Sequence, residues 1–200
     1  MAELRSCIFL DRLQPQTMCA LATWVRGRPP RRDVAAQVIE VAPGLDVEPL
    51  TDVALKHARV QAGVLVAERQ FGFLLVHGGT DEVRAAASAV LDALDATAAD
   101  AAPPRVLASR VVAGLDPQHA FLVNRSRSGS MALPGRSLFV LELQPASYAV
   151  LATNEAEKAA DVTVVDSRMV GATGRVYLTG TEADVRQAAE AAEAALGRAA

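Results

Sequence analysis

Val38-Ile39-Glu40-Val41-Ala42-Pro43 and Val140-Leu141-Glu142-Leu143-Gln144-Pro145 carry one pattern twice, apolar residues around a single acid with a closing proline, 102 residues apart. Sliding the chain by that interval keeps producing matches without a gap. Upstream, Leu13, Pro15 and Gln16 fall on Leu115, Pro117 and Gln118. Downstream, Thr51, Ala54, Lys56, Ala58 and Val60 fall on Thr153, Ala156, Lys158, Ala160 and Val162, and Gly72, Gly78, Val83 and Arg84 meet Gly174, Gly180, Val185 and Arg186. A register held from Leu13 to Leu94 marks a duplication, and a repeat of this kind governs the whole fold.

Within each copy the apolar spacing names the elements. Val38–Val41 and Leu138–Leu143 read as strands, and Asp46–His57 has the spacing of a helix. Val60–Ala67 and Phe73–Val76 are β-rich runs joined by the polar turn Glu68-Arg69-Gln70-Phe71-Gly72. Asp81–Leu94 and Glu182–Leu196 are alanine-rich with acids in the first turn, which suits a helix N-terminus. An opening strand, Arg5–Leu10 or Ala108–Val112, precedes each copy; the segment after Gln16 has no clear assignment. Asp95–Pro104 is poor in large apolar residues and ends in two prolines, so it reads as a linker. The expectation is an α/β (α+β) chain of two units ordered β-x-β-α-β-β-α, each a mixed antiparallel sheet with packed helices.

Two hundred residues with 51% hydrophobic side chains can bury two cores. The formal charge of −3 offers no footprint for a phosphate backbone, so nucleic acid is not an expected partner. The apolar patch Ile8-Phe9-Leu10 is too short for a signal peptide, and no uncharged apolar run reaches membrane-spanning length, so neither secretion nor a membrane is expected. Cys7 and Cys19 lack a partner motif and read as buried thiols of a reducing cytoplasm.

Catalytic constellations are missing. His57, His77 and His119 have no Cys, Asp or Glu at metal-ligand spacing, so no metal site is expected. Gly171-Ala172-Thr173-Gly174 could cradle a phosphate, but it has no P-loop lysine and no helix follows it; a tight turn is the simpler reading. Arg26-Gly-Arg-Pro-Pro-Arg-Arg32 reads as a solvated loop. Lys56 and Lys158 recur near the ends of matching helices, where a cation favours the macrodipole, and the repeat places them on equivalent outer surfaces.

The chain resembles the bacterial microcompartment shell proteins, specifically the tandem-domain members in which two domains are fused and three chains build a pseudohexagonal tile. The resemblance runs from Leu138-Phe-Val-Leu-Glu142 through Asn154–Val162 to Gly171–Gly174 and Gly180–Arg186, and over Gln37–Leu94 in the first copy. The opening strand placed before Val38 is similar to the circularly permuted branch. The resemblance implies domains at 1–96 and 105–200 with 97–104 as linker, no cofactor, and a place in a microcompartment shell in the cytoplasm. It implies a homotrimer, which in the family also stacks face to face, with hexameric and pentameric shell proteins as partners and small metabolites passing a central pore. Glu68 and Arg69, followed by Gln70 and Phe71, look like the branch's gating turn. Val170, Gly171, Ala172 and Thr173 look like the small-residue pore loop of ordinary shell domains, and Lys56 and Lys158 would lie at tile edges.

Three function classes follow. The first is a shell tile, the second a tandem small-molecule sensor with its ligand between the copies, and the third a nucleotide-using enzyme built on the Gly171 turn. The mass of the assembly separates a tile, in multiples of three, from a sensor dimer.

Overall fold

In the first sheet the most buried strands hold the middle, as their apolar composition demands. In a computed structural model that describes residues 2–199, Ala35–Ala42 (β2) is buried over its first seven residues, and Ser137–Gln144 (β6) is its counterpart. Glu3–Leu10 (β1), Gln61–Glu68 (β3) and Phe71–Gly78 (β4) complete the first sheet in the order β1-β2-β4-β3. Arg105–Val112 (β5), Thr163–Arg168 (β7) and Gly174–Gly180 (β8) complete the second in the order β5-β6-β8-β7. Every pairing is antiparallel.

The helices follow the same duplication. Pro15–Ala22 (α1), Val47–His57 (α2) and Thr80–Ala93 (α3) belong to the first half, and Pro117–Asn124 (α4), Tyr148–Ala159 (α5) and Glu182–Arg198 (α6) to the second. The unassigned segment after Gln16 is therefore helical in both copies. Helix α3 buries Val83, Ala86, Ala87 and Val90, a stripe of helical spacing whose small residues let it lie close to the sheet. Its core joins Leu4, Ile39, Val41, Leu50, Leu74 and Val76. At α6 the Thr181 hydroxyl accepts from the Asp184 amide at 3.2 Å, and Asp116 caps α4 by accepting from the Gln118 amide at 2.8 Å.

Even the irregularities repeat. The β1–β2 ladder shifts between Leu4 and Ser6 and the β5–β6 ladder between Val106 and Ala108; the β3–β4 ladder shifts between Ala62 and Val64 and the β7–β8 ladder between Val164 and Asp166. At the second pair of bulges a loop closes the open sheet edge: the Arg28 amide donates to the Ala62 carbonyl and the Ser130 amide to the Val164 carbonyl, each at 2.9 Å. Capping an edge strand in this way removes a template for unwanted pairing.

The chain forms two compact units divided at Pro103/Pro104, with Val170–Ala172 grouped with the first. The stretch before the division holds a short turn of its own. Ala98–Asp100 is a 3₁₀ turn closed by a capping box, in which the Thr97 side chain accepts from the Asp100 amide and the Thr97 amide donates to Asp100 Oδ2 at 2.7 Å; the Thr97 hydroxyl also donates to that oxygen, at 2.8 Å.

Candidate functional site

Two hairpins carry the residues singled out for a pore. In the first, β3 and β4 pair up to Glu68 opposite Phe71, leaving Arg69 and Gln70 as a two-residue turn. Arg69 takes φ +42°, a left-handed conformation a non-glycine residue adopts at a cost. Glu68, Arg69 and Gln70 are exposed and Phe71 is half-buried. Their side chains therefore stand together at one tip with both charges available.

The second hairpin has the same length and a different form. Its ladder ends at Arg168 opposite Arg175, so Met169–Thr173 form an open loop in which Gly171 takes φ +122°. Met169 is buried, while Val170, Gly171 and Thr173 are half-buried and Ala172 is exposed. No helix starts after this loop, because Gly174 begins β8. A phosphate cradle built on a helix N-terminus is thus absent from this turn.

Both hairpin bases are packed too closely for a side chain. A Cβ on Gly72 would lie 2.3 Å from the Gly44 carbonyl oxygen, and one on Gly174 would lie 2.3 Å from that of Ala146. This explains why glycine recurs there in the repeat.

Behind each turn sits a carboxylate that the sequence reading did not select. Glu40 of β2 accepts from Arg5 Nε at 3.0 Å, and the Arg5 guanidinium carbon lies 4.3 Å from the Phe71 ring centroid. Glu142 of β6 accepts from the Thr173 hydroxyl at 2.9 Å and from Arg175 Nε and Nη2 at 3.1 and 3.0 Å. The Thr173 hydrogen bond first, and then Arg175, hold the Glu142 carboxyl below the ordinary glutamate range. The signal for these residues was present in the repeat: an acid twice at one position of an apolar strand.

The lysines occupy matching helix ends but not matching environments. Lys56 is exposed and pairs with Asp52, whereas Lys158 is 20% exposed and pairs with Glu155 at 2.7 Å. Neither lies in the hairpins. The histidines have local roles: His57 Nδ1 meets the Val53 carbonyl and His77 Nε2 the Arg28 carbonyl, both at 2.9 Å, while His119 is exposed on α4. Both cysteines are free thiols, but the expectation that both are buried fails: Cys7 is half-buried, and Cys19 is exposed on the short helix α1, which buries Thr17, Ala20 and Leu21 instead. Burial pushes the Cys7 thiol up, partly offset by the Gln37 amide that donates to it at 3.2 Å. Among the described residues no cluster of three or more His, Cys, Asp or Glu could hold a metal, and no helix is long and apolar enough to cross a membrane.

Comparison with known proteins matches both halves. Residues 4–100 match the CsoS1D N-terminal domain family and residues 137–200 the BMC domain family. The chain is 44% identical over 99% of its length to the carboxysome shell protein CsoS1D of Hydrogenovibrio crunogenus, covering 98% of that protein. It is 42% identical over 97% of its length to the carboxysome shell protein CcmP of Synechococcus elongatus, covering 92% of it. Among solved structures, the fused permuted hexameric shell protein of the RMM microcompartment is 67% identical, with a TM-score of 0.97 and 98% of each chain covered. The double ringed trimeric shell protein of the same microcompartment is 40% identical, with a TM-score of 0.94 and coverage of 99% of this chain and 97% of that one. Relatives matched end to end at these identities, on a duplicated fold with a permuted opening strand, show that the chain belongs to the bacterial microcompartment shell proteins and is a structural shell component rather than an enzyme.

Proposed function

We propose that three copies close into a ring whose central opening is lined by Glu68–Phe71 and Val170–Thr173, that small metabolites pass through it, and that Glu68 and Arg69 gate it. The observation that carries the ring is a set of exposed apolar side chains on α4 and the loop after it that the first unit lacks at the corresponding places. Phe121, Leu122, Met131 and Leu133 of α4 and the loop after it are 63, 62, 52 and 55% exposed. In the first unit, α1 carries the smaller Cys19 and Ala20 at the places of Phe121 and Leu122. Exposed apolar patches mark interaction sites, and a patch on one of two similar units calls for a head-to-tail contact, which closes into a ring when the rotation allows. The description of one relative as a double ringed trimer supports the number three and a stacked pair of rings.

In this reading the ring brings three copies of Glu68 and Arg69 to one axis. Side chains pointing inward would block the opening, and side chains paired at the rim would clear it. An exposed ion pair contributes only about 0.2–1 kcal/mol, so a weak ligand can shift the balance. Lys56 and Lys158 lie at ring edges, and hexameric and pentameric shell proteins are the neighbours in the layer. Passage of metabolites, gating and edge roles stand on the hairpin geometry and on family likeness. Native mass spectrometry tests the ring: the expected mass is three or six times the 21.0 kDa chain. A stable monomer or dimer at micromolar concentration would overturn it.

A further inference from the structure

Glu40 and Glu142 hold the same place in the repeat, on central strands whose flanking residues are apolar. A carboxylate so placed needs a partner. The two units supply it from different strands. In the first unit β1 provides Arg5, and the Glu40 side chain it pairs with is 2% exposed. In the second unit Leu107 stands at the place of Arg5, and β8 provides Arg175 at the place of Phe73.

The end of the turn is wired differently as a result. Thr173, at the place of Phe71, is bound directly to Glu142 by its hydroxyl at 2.9 Å. A hydrogen bond to a carboxylate fixes both distance and direction. Phe71 makes no such bond and instead lies under the Arg5 guanidinium, 4.3 Å away. A cation over a ring face is attracted anywhere within about 6 Å of the centroid, so the ring can slide without losing the contact. The stiff tether therefore sits at the turn made of small residues, and the sliding one at the turn that carries both charges.

We propose that Arg5 and Glu40 are positioning residues for the Glu68–Phe71 turn: Glu40 holds the Arg5 guanidinium as a fixed plate, and Phe71 slides on it as the turn exchanges between two positions. The inference rests on the reading that this turn lines the opening, but its mechanics are separable from that reading. Glu40 does not touch the turn tip. It acts through Arg5, and Arg5 acts through the ring of Phe71. Replacing Phe71 by leucine removes the ring while leaving the Arg5–Glu40 pair intact; replacing it by tryptophan keeps a ring face for the cation.

The test uses the assembled protein carrying a trifluoromethyl tag on Gln70→Cys, in a Cys19→Ser background, read by fluorine NMR. A spectrum from protein without the Gln70→Cys change identifies any tag on Cys7. Two turn resonances are expected, and Phe71→Leu should change their ratio about two- to fivefold with the melting temperature nearly unchanged. Phe71→Trp should restore the ratio, and Arg5→Gln should act as Phe71→Leu does. Glu40→Gln should also shift the ratio; if that variant does not fold, the Phe71 and Arg5 variants still decide. A single resonance in the parent, an unchanged ratio in Phe71→Leu, or a Phe71→Trp protein that behaves as Phe71→Leu would overturn the proposal. The pore reading is tested apart, by solute flux through layers of Glu68→Ala/Arg69→Ala. Unchanged flux sinks that reading, while the resonance ratio judges the positioning role by itself.

Discussion

Glu142 takes three hydrogen bonds on one oxygen, Oε1, and the donors come from both ends of the same short stretch, Thr173 and Arg175. Each favours the charged form, so the folded-state pKa lies below that of the unfolded chain. The sign follows from linkage. The stabilisation is fully present above roughly pH 4.3, the ordinary glutamate value, and is lost as pH falls through the lower folded value. Removing the leading donor should move the carboxyl back toward the ordinary range. We therefore expect Thr173→Val to raise the titration midpoint of Glu142, followed by carbon NMR of its carboxyl, and to loosen the Val170–Thr173 loop at neutral pH. A midpoint that does not move would show that Thr173 is not the donor that matters. Glu40 answers the same need with a different cation, so one residue type at one repeat position supports two unlike turns.

The two hairpins show what an element inherits from duplication and what it does not. Their ladders share register and bulges, yet one closes tightly at Arg69-Gln70 and the other opens from Met169 to Thr173. Common to both is the glycine base. In Gly72→Ala the new Cβ would meet the Gly44 carbonyl and the Val47 side chain, and backbone cannot yield as a flexible side chain does. We expect a loss of about 1–3 kcal/mol, measured by denaturant unfolding, together with a displaced Glu68–Phe71 turn. Stability equal to the parent would mean that the turn base is free to shift. The central strands and the long helices were legible because their apolar spacing runs over enough residues to be read. Helices α1 and α4 were not: each has eight residues, neither has an acid in its first turn, and α4 buries only Ala120. The Arg5–Glu40–Phe71 contact was not legible either, since it depends on the β1–β2 and β2–β4 registers, which spacing alone does not supply. Its trace in the sequence, an acid repeated within an apolar strand, named a position without naming its partner.

On the scale of the molecule the repeat gave the architecture, while differences between the copies carry the proposed function: a charged turn against a small one, and exposed Phe121 and Leu122 on α4 where α1 has Cys19 and Ala20. The two lysines belong to this second class. In the proposed layer both stand at ring edges, but the chain holds them unequally. Lys56 is 70% exposed and its partner Asp52 61%, so this pair is bathed in water and adds little to stability. Lys158 and Glu155 are 20 and 23% exposed, so reversing that charge would set two acids together in a half-covered place. Lys158→Asp should therefore cost the fold about 1 kcal/mol or less in addition to any effect on the edge, which makes it the poorer probe. Lys56→Asp confines its effect to the surface, with a like-charge cost beside Asp52 of about 0.2–0.5 kcal/mol. We expect Lys56→Asp to keep the ring mass and melting temperature of the parent and to abolish extended layers in electron micrographs. Lys158→Asp should lower the melting temperature as well as the yield of layers. Layers from Lys56→Asp as extensive as those of the parent would remove this lysine from the edge, whatever the ring itself proves to be.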